Sequence, residues 1–227
     1  DYYSTAFEIY SLLLLISSMS LPLAVSKMVS ARMSQGRVKD AYRVFRAAIG
    51  FAVCSGLAAG LIVFFFADYF AAALKTPFCV FALRVLAPTL FIVAILGVVR
   101  GFFQGLGTMM PSAVSQIIEQ VFNAVISIVG ASVLFGIGTK AGEKSGEELL
   151  GPAYGAAGST LGTVVGSLSG LLFLLFVIFL YKNVIRKQLK RDRTQNVESY
   201  SFLLKALLLT AIPVVFSTAV YNINQII

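Results

Sequence analysis

The sequence predicts an all-α integral membrane protein, a polytopic helix bundle, and three observations carry that prediction. Hydrophobic residues fill 58% of the 227 positions and charged residues 12%, against roughly half and a quarter in soluble proteins, and the mean hydropathy is +0.89. The apolar residues gather into about six runs, each long enough at about 1.5 Å per residue to cross a hydrocarbon core of about 30 Å. The 18 Lys and Arg outnumber the 10 Asp and Glu and fall mostly in the gaps between runs: thirteen occupy alternate gaps, only Lys75, Lys140 and Lys144 the others, and Arg84 and Lys205 fall in runs. The positive-inside rule puts the thirteen on the cytoplasmic side.

The first run, Ala6 to Met28, has Glu8 near its start and Pro22 near its end. A membrane proline frees a carbonyl that hydroxyls such as Ser18 or Ser26 can satisfy, so this region is either a functional bend or a packing kink. A basic segment follows, Lys27 to Arg46, holding six Lys and Arg and the single acid Asp40. The second run, Val44 to Ala67, ends at Asp68 and a short connection through Pro77. The third, Phe78 to Val99, contains Arg84 and ends at Arg100. The fourth, Pro111 to Ile137, opens with a proline where a first helical turn tolerates one. A Gly- and acid-containing connection, Gly138 to Pro152, leads to the fifth run, Ala153 to Leu180. The most basic segment, Lys182 to Arg193, reads as a solvated linker or a basic interfacial helix. Phe202 to Ile227 is a sixth run. The chain begins at Asp1 without a basic n-region and stops inside an apolar run, as expected of an excerpt from a longer protein.

Small residues indicate how the helices pack. Gly158, Gly162, Gly166 and Gly170 recur every fourth residue, as do Gly97, Gly101 and Gly105, and Gly56 with Gly60. Such rows let helix backbones approach closely.

Several function classes lack their residues. No nucleic-acid motif accompanies the positive charge, so no nucleic-acid partner is expected. Histidine is absent, and Cys54 and Cys79 lack CxxC spacing, which argues for no metal site, cofactor or redox motif. No nucleophile–base pair suggests an enzyme.

The chemistry that remains lies inside the membrane. Ser112, Gln116, Glu119, Gln120, Asn123 and Ser127 fall within an arc of roughly 100° on the fourth helix. A charge within the bilayer costs at least about 2.5 kcal/mol, so Arg84 and Glu119 require a partner or a wet cavity. The alternative is that Arg84 snorkels outward and Glu119 is hydrogen-bonded to neighbouring helices. Lys27 and Arg100, at inner helix ends, read as snorkelling anchors, although Lys27 follows the Pro22 bend and can turn inward.

Three stretches carry a resemblance: RGFFQGLGTMMPSAVSQIIEQVFN from Arg100, YSLLLLISSMSLPLAVSKMVSARMSQGR from Tyr10 to Arg37, and IPVVFSTAVYNINQII from Ile212 to Ile227. They resemble the polysaccharide biosynthesis and stage V sporulation protein B family, in the larger group that includes lipid II flippases and multidrug and toxin extrusion transporters. The resemblance implies a fragment of a two-lobed, alternating-access transporter of the bacterial plasma membrane. Residues 1–181 would be helices two to six of the N-terminal lobe, 182–201 a basic cytoplasmic interlobe linker, and 202–227 the first helix of the C-terminal lobe. It implies a monomeric flippase for lipid-linked cell-wall or polysaccharide precursors, embedded among membrane lipids. Arg84, Gln116, Glu119, Asn123 and Lys27 are this chain's candidate contributions to the substrate cavity. A cation-coupled drug exporter, with Glu119 as the coupling carboxylate, and a non-transporting scaffold are the alternatives.

Overall fold

The computed structural model describes residues 21–73, 79–145, 150–192 and 197–226, and these contain helices and no strand. We number the helices α1 (21–34), α2 (Val38–Phe65), α3 (Ala67–Ala73), α4 (Cys79–Gly105), α5 (Met110–Ser145), α6 (Leu150–Arg191) and α7 (Tyr200–Ile226). Among the described residues, four helices are long and apolar enough to cross a membrane: Val38–Phe65, Val80–Gly105, Met110–Glu143 and Leu150–Arg191. They correspond to the second to fifth expected runs. The first run lies outside the described residues up to position 20, and the sixth falls within α7.

Three boundaries differ from the sequence expectation. The third run does not stop at Arg100, because α4 continues to Gly105. Its stop signal is Gly107, at φ 81°, where the Gly107 N–H donates to the Gln104 carbonyl and the Thr108 N–H to that of Phe103. That pair of bonds is a Schellman ending, which needs a left-handed residue and therefore favours glycine. The end of α1 repeats it at Gly36, φ 72°, with Gly36 N–H donating to Met33 and Arg37 N–H to Arg32. Second, most of the expected Gly138–Pro152 connection is helical, since α5 runs to Ser145 and α6 starts at Leu150. Hydropathy falls there, but Ala, Glu and Lys are good helix formers. Third, the basic run from Lys182 is no break between elements, because α6 carries it as far as Arg191.

Of the described residues, 55–73, 79–93, 116–145 and 150–170 belong to one compact unit, and 21–54, 94–115, 171–192 and 197–226 to a second. Charge divides with them: among the described residues the second unit carries thirteen Lys and Arg against three acids, and the first carries three against three.

The second unit has the larger apolar core. Val25 and Val29 of α1, Val44 and Ala48 of α2, Val98 and Phe102 of α4, and Leu203 and Leu207 of α7 are buried together. Phe102 stacks on Phe45 at 4.2 Å between ring centroids, an offset aromatic contact. Glycine makes that packing possible, because a Cβ on Gly101 would overlap the backbone of Pro22, and one on Gly105 would lie 2.7 Å from Val29 Cβ. A polar clasp binds the start of α7 to the α1–α2 turn. Asp40, wholly buried, pairs with Arg37 at 2.7 Å and accepts the Glu198 N–H at 2.9 Å. Glu198 in turn accepts from Arg32 Nε at 3.0 Å and pairs with Arg37. Arg43 donates to the Glu198 carbonyl and lies over the Tyr200 ring. The Lys39 N–H donates to Asp192.

In the first unit, α5 and α6 run antiparallel in close contact. A Cβ on Gly138 would lie 2.6 Å from the Leu150 carbonyl oxygen, one on Gly130 2.5 Å from that of Gly158, and one on Gly166 2.7 Å from that of Glu119.

Candidate functional site

From Gln116 to Ser127 the polar arc of α5 lies in the first unit, and α6 covers part of it. At 100° per residue, Glu119, Asn123, Ser127 and Gly130 share a face, and that face meets the α6 glycine row. A Cβ on Gly162 would lie 2.6 Å from the Asn123 carbonyl oxygen and 2.6 Å from the Ser127 nitrogen. Ser127 Oγ donates to the Ser159 carbonyl at 2.8 Å and lies 3.0 Å from Asn123 Oδ1. The hydroxyl therefore ties two helices at a point where neither backbone offers a spare donor.

Two amides of the arc are uncovered. Gln116 and Gln120 are exposed, and Glu119 and Asn123 half-buried. Gln116 lies six residues into α5 and Gln120 ten, roughly 9 and 15 Å along its axis. Around them Ile117, Val121, Phe122 and Val125 are exposed as well, and only 6% of the α5 membrane window is buried. Apolar side chains can face lipid at little cost. Primary amides cannot, so this edge of α5 requires water or further protein.

The other expected site residues fall in different surroundings. Arg84 Nη2 donates to Asp68 Oδ2 at 2.8 Å, joining α4 to α3; both side chains are largely exposed. Asp68 was legible only as the end of a run, and the hint that it serves Arg84 was an isolated acid and an isolated base at two outer helix ends. Lys27 is exposed on α1 and belongs to the second unit, whereas the other four candidates belong to the first. Arg100 is not at a helix end but five residues inside α4, half-buried, with Nε donating to Ser115 Oγ at 2.9 Å. Ser115 donates to Ser112 O, and Ser112 to Arg100 O, so Arg100 is a joint between α4 and α5 rather than a snorkelling anchor. Among the described residues no group of three potential metal ligands occurs.

Membrane-length helices joined by glycine seams and polar contacts define a multi-pass α-helical membrane protein. The profile of the polysaccharide biosynthesis protein family matches residues 2–227, so the chain belongs to that family. It is similar to the lipid II flippase MurJ of Bacillus subtilis (strain 168), with 35% identity over 121 residues, 49% of this chain and 22% of that protein. The matched region spans about a fifth of that relative's length. No solved structure matches. Family and relative place the chain in the bacterial plasma membrane as a multi-pass protein.

Proposed function

We propose that the chain forms helices two to six of the N-terminal lobe of a flippase that moves lipid-linked cell-wall or polysaccharide precursors by alternating access. Residues 182–201 would link the lobes and 202–227 begin the second. The observation that carries this reading is the exposed edge of α5, where Gln116 and Gln120 flank Glu119 on a membrane-length helix. A glycan–diphosphate headgroup needs hydrogen-bonding partners on its way across, while its lipid tail can remain in the bilayer. The amides and carboxylate suit glycan hydroxyls. Arg84 and Lys27 would supply positive charge for the diphosphate at different stages of the passage. Transport rather than catalysis is the task these residues fit, and the working unit is a monomer.

Glu119→Gln tests the reading, because it keeps size and hydrogen bonding and removes only charge. In the full-length protein, folded yield should stay near wild type. Flipping of a lipid-linked precursor in proteoliposomes, per folded molecule, should fall roughly tenfold, the equivalent of about 1.4 kcal/mol. Wild-type flipping per molecule would defeat the proposal for this residue.

A further inference from the structure

A groove in the second unit, between α2 and α6, has the build of a site for a different molecule. It encloses roughly 380 Å³, within the range of about 300–1,000 Å³ typical of small-ligand sites. Leu175, Ile178 and Phe179 form its apolar wall, and Lys182, Arg186 and Arg46 line it as well. The α6 members recur at intervals of three and four residues, so they form one stripe, apolar at Leu175, Ile178 and Phe179 and mixed beyond, where Lys182 and Arg186 alternate with Ile185 and Leu189. Lys182 and Arg186 are one turn apart, about 6 Å along the axis, a spacing that a single phosphate spans. Among the described residues no acid lines the groove, and the Lys182 ammonium lies 5.9 Å from the Phe179 ring centroid.

We infer that this groove holds one anionic phospholipid of the cytoplasmic leaflet, with its phosphate between Lys182, Arg186 and Arg46 and an acyl chain along Leu175, Ile178 and Phe179. Charge complementarity selects the headgroup, since among the described residues the polar side chains lining the groove are three cations. The order of the stripe selects a lipid over a free anion, because the apolar part extends toward the middle of a membrane-length helix. The lipid is neither the transported precursor nor part of the α5 site. It would anchor the basic end of α6 to the leaflet and hold α2 and α6 at a fixed spacing.

Native mass spectrometry of the full-length protein, loaded from micelles with phosphatidylglycerol or phosphatidylcholine, counts the retained lipid. Wild type should keep one phosphatidylglycerol in preference to phosphatidylcholine. Lys182→Gln/Arg186→Gln should weaken that retention by roughly 25-fold, about fivefold for each cation. Lys187→Gln/Arg191→Gln removes the same charge from residues of the same helix that do not line the groove, and should leave retention within about twofold. A charge-keeping Lys182→Arg/Arg186→Lys variant should bind like wild type, which separates loss of the site from loss of the fold. Equal losses in the two Gln variants would reduce the effect to a diffuse field and overturn the inference. Equal retention of both lipids, or a dimer abolished by the Lys182/Arg186 change in place of bound lipid, would also overturn it. Bound lipid is counted at equilibrium, so a protein that flips no precursor still reports on the groove.

Discussion

Replacing Gly162 by alanine adds one methyl group at the closest part of the α5–α6 seam. The new Cβ would lie 2.6 Å from both the Asn123 carbonyl oxygen and the Ser127 nitrogen, and would overlap the Ser127 hydroxyl. Two of those three neighbours are backbone, so the helices must part rather than a side chain rotate. Forcing a methyl group into a packed contact costs about 1–3 kcal/mol, and parting the helices also strains the Ser127–Ser159 bond, about 0.6 kcal/mol by membrane averages. Against this, alanine is favoured over glycine in a helix interior by about 1 kcal/mol. The net expectation is a loss of roughly 0.5–2.5 kcal/mol. Gly136 of α5 and Gly50 of α2 supply the control, since a Cβ at either meets nothing within 4 Å. Alanine at those positions should be neutral or stabilising by up to about 1 kcal/mol. Thermal inactivation of the purified full-length protein, followed by loss of the monodisperse peak in size exclusion, ranks the three variants. If Gly162→Ala survives heating as well as Gly136→Ala, the seam is not the tight contact described.

Two further predictions concern the second unit and the orientation of the chain. Asp40→Ala removes a wholly buried carboxylate that binds Arg37 and the Glu198 N–H, and should cost about 1–3 kcal/mol; limited proteolysis between α6 and α7 should then quicken, and an unchanged cleavage rate would show that the clasp does not hold α7. For orientation, cysteines are placed singly at Lys187 and at Glu143 of a full-length protein with its native cysteines replaced. An impermeant thiol reagent outside the cell should label the second and spare the first, and the reverse pattern would refute the assignment drawn from charge.

What the sequence made legible was whatever depends on local pattern. Hydropathy and length placed α2, α4, α5 and α6, and the four-residue spacing of glycines located two seams before any partner was visible. Helix ends were less legible, because hydropathy reports where lipid ends and not where hydrogen bonding ends. Thus α5 runs past Ile137 through Thr139, Lys140 and Glu143, and α4 past Arg100 to a glycine in the left-handed conformation. Partners distant in sequence were illegible in detail. Asp40 and Glu198 are 158 positions apart, and the only hint of their pairing was that each is an acid in an otherwise basic stretch. Arg84 was recognisable as a charge in need of company, but Asp68 as its companion depends on α3, a helix too short for its pattern to announce it.

The α5 helix joins the packing argument to the functional one. Its polar arc reads in sequence as one surface, and in the fold it serves two purposes. Asn123 and Ser127 are committed to α6, while Gln116 and Gln120 are left uncovered beside Glu119. Successive residues are 100° apart, so turning α5 by a single residue would put Ile117 and Val121 where Gln116 and Gln120 stand and move Gln120 into the place of Glu119. The seam holds the present orientation, since Gly158, Gly162 and Gly166 leave room for α5 backbone that a Cβ at any of them would overlap. The glycine row therefore aims the polar edge as well as holding the two helices together. Gly162→Ala should accordingly lower flipping per folded molecule beyond its effect on yield, whereas Gly136→Ala, which touches no neighbour, should leave both unchanged.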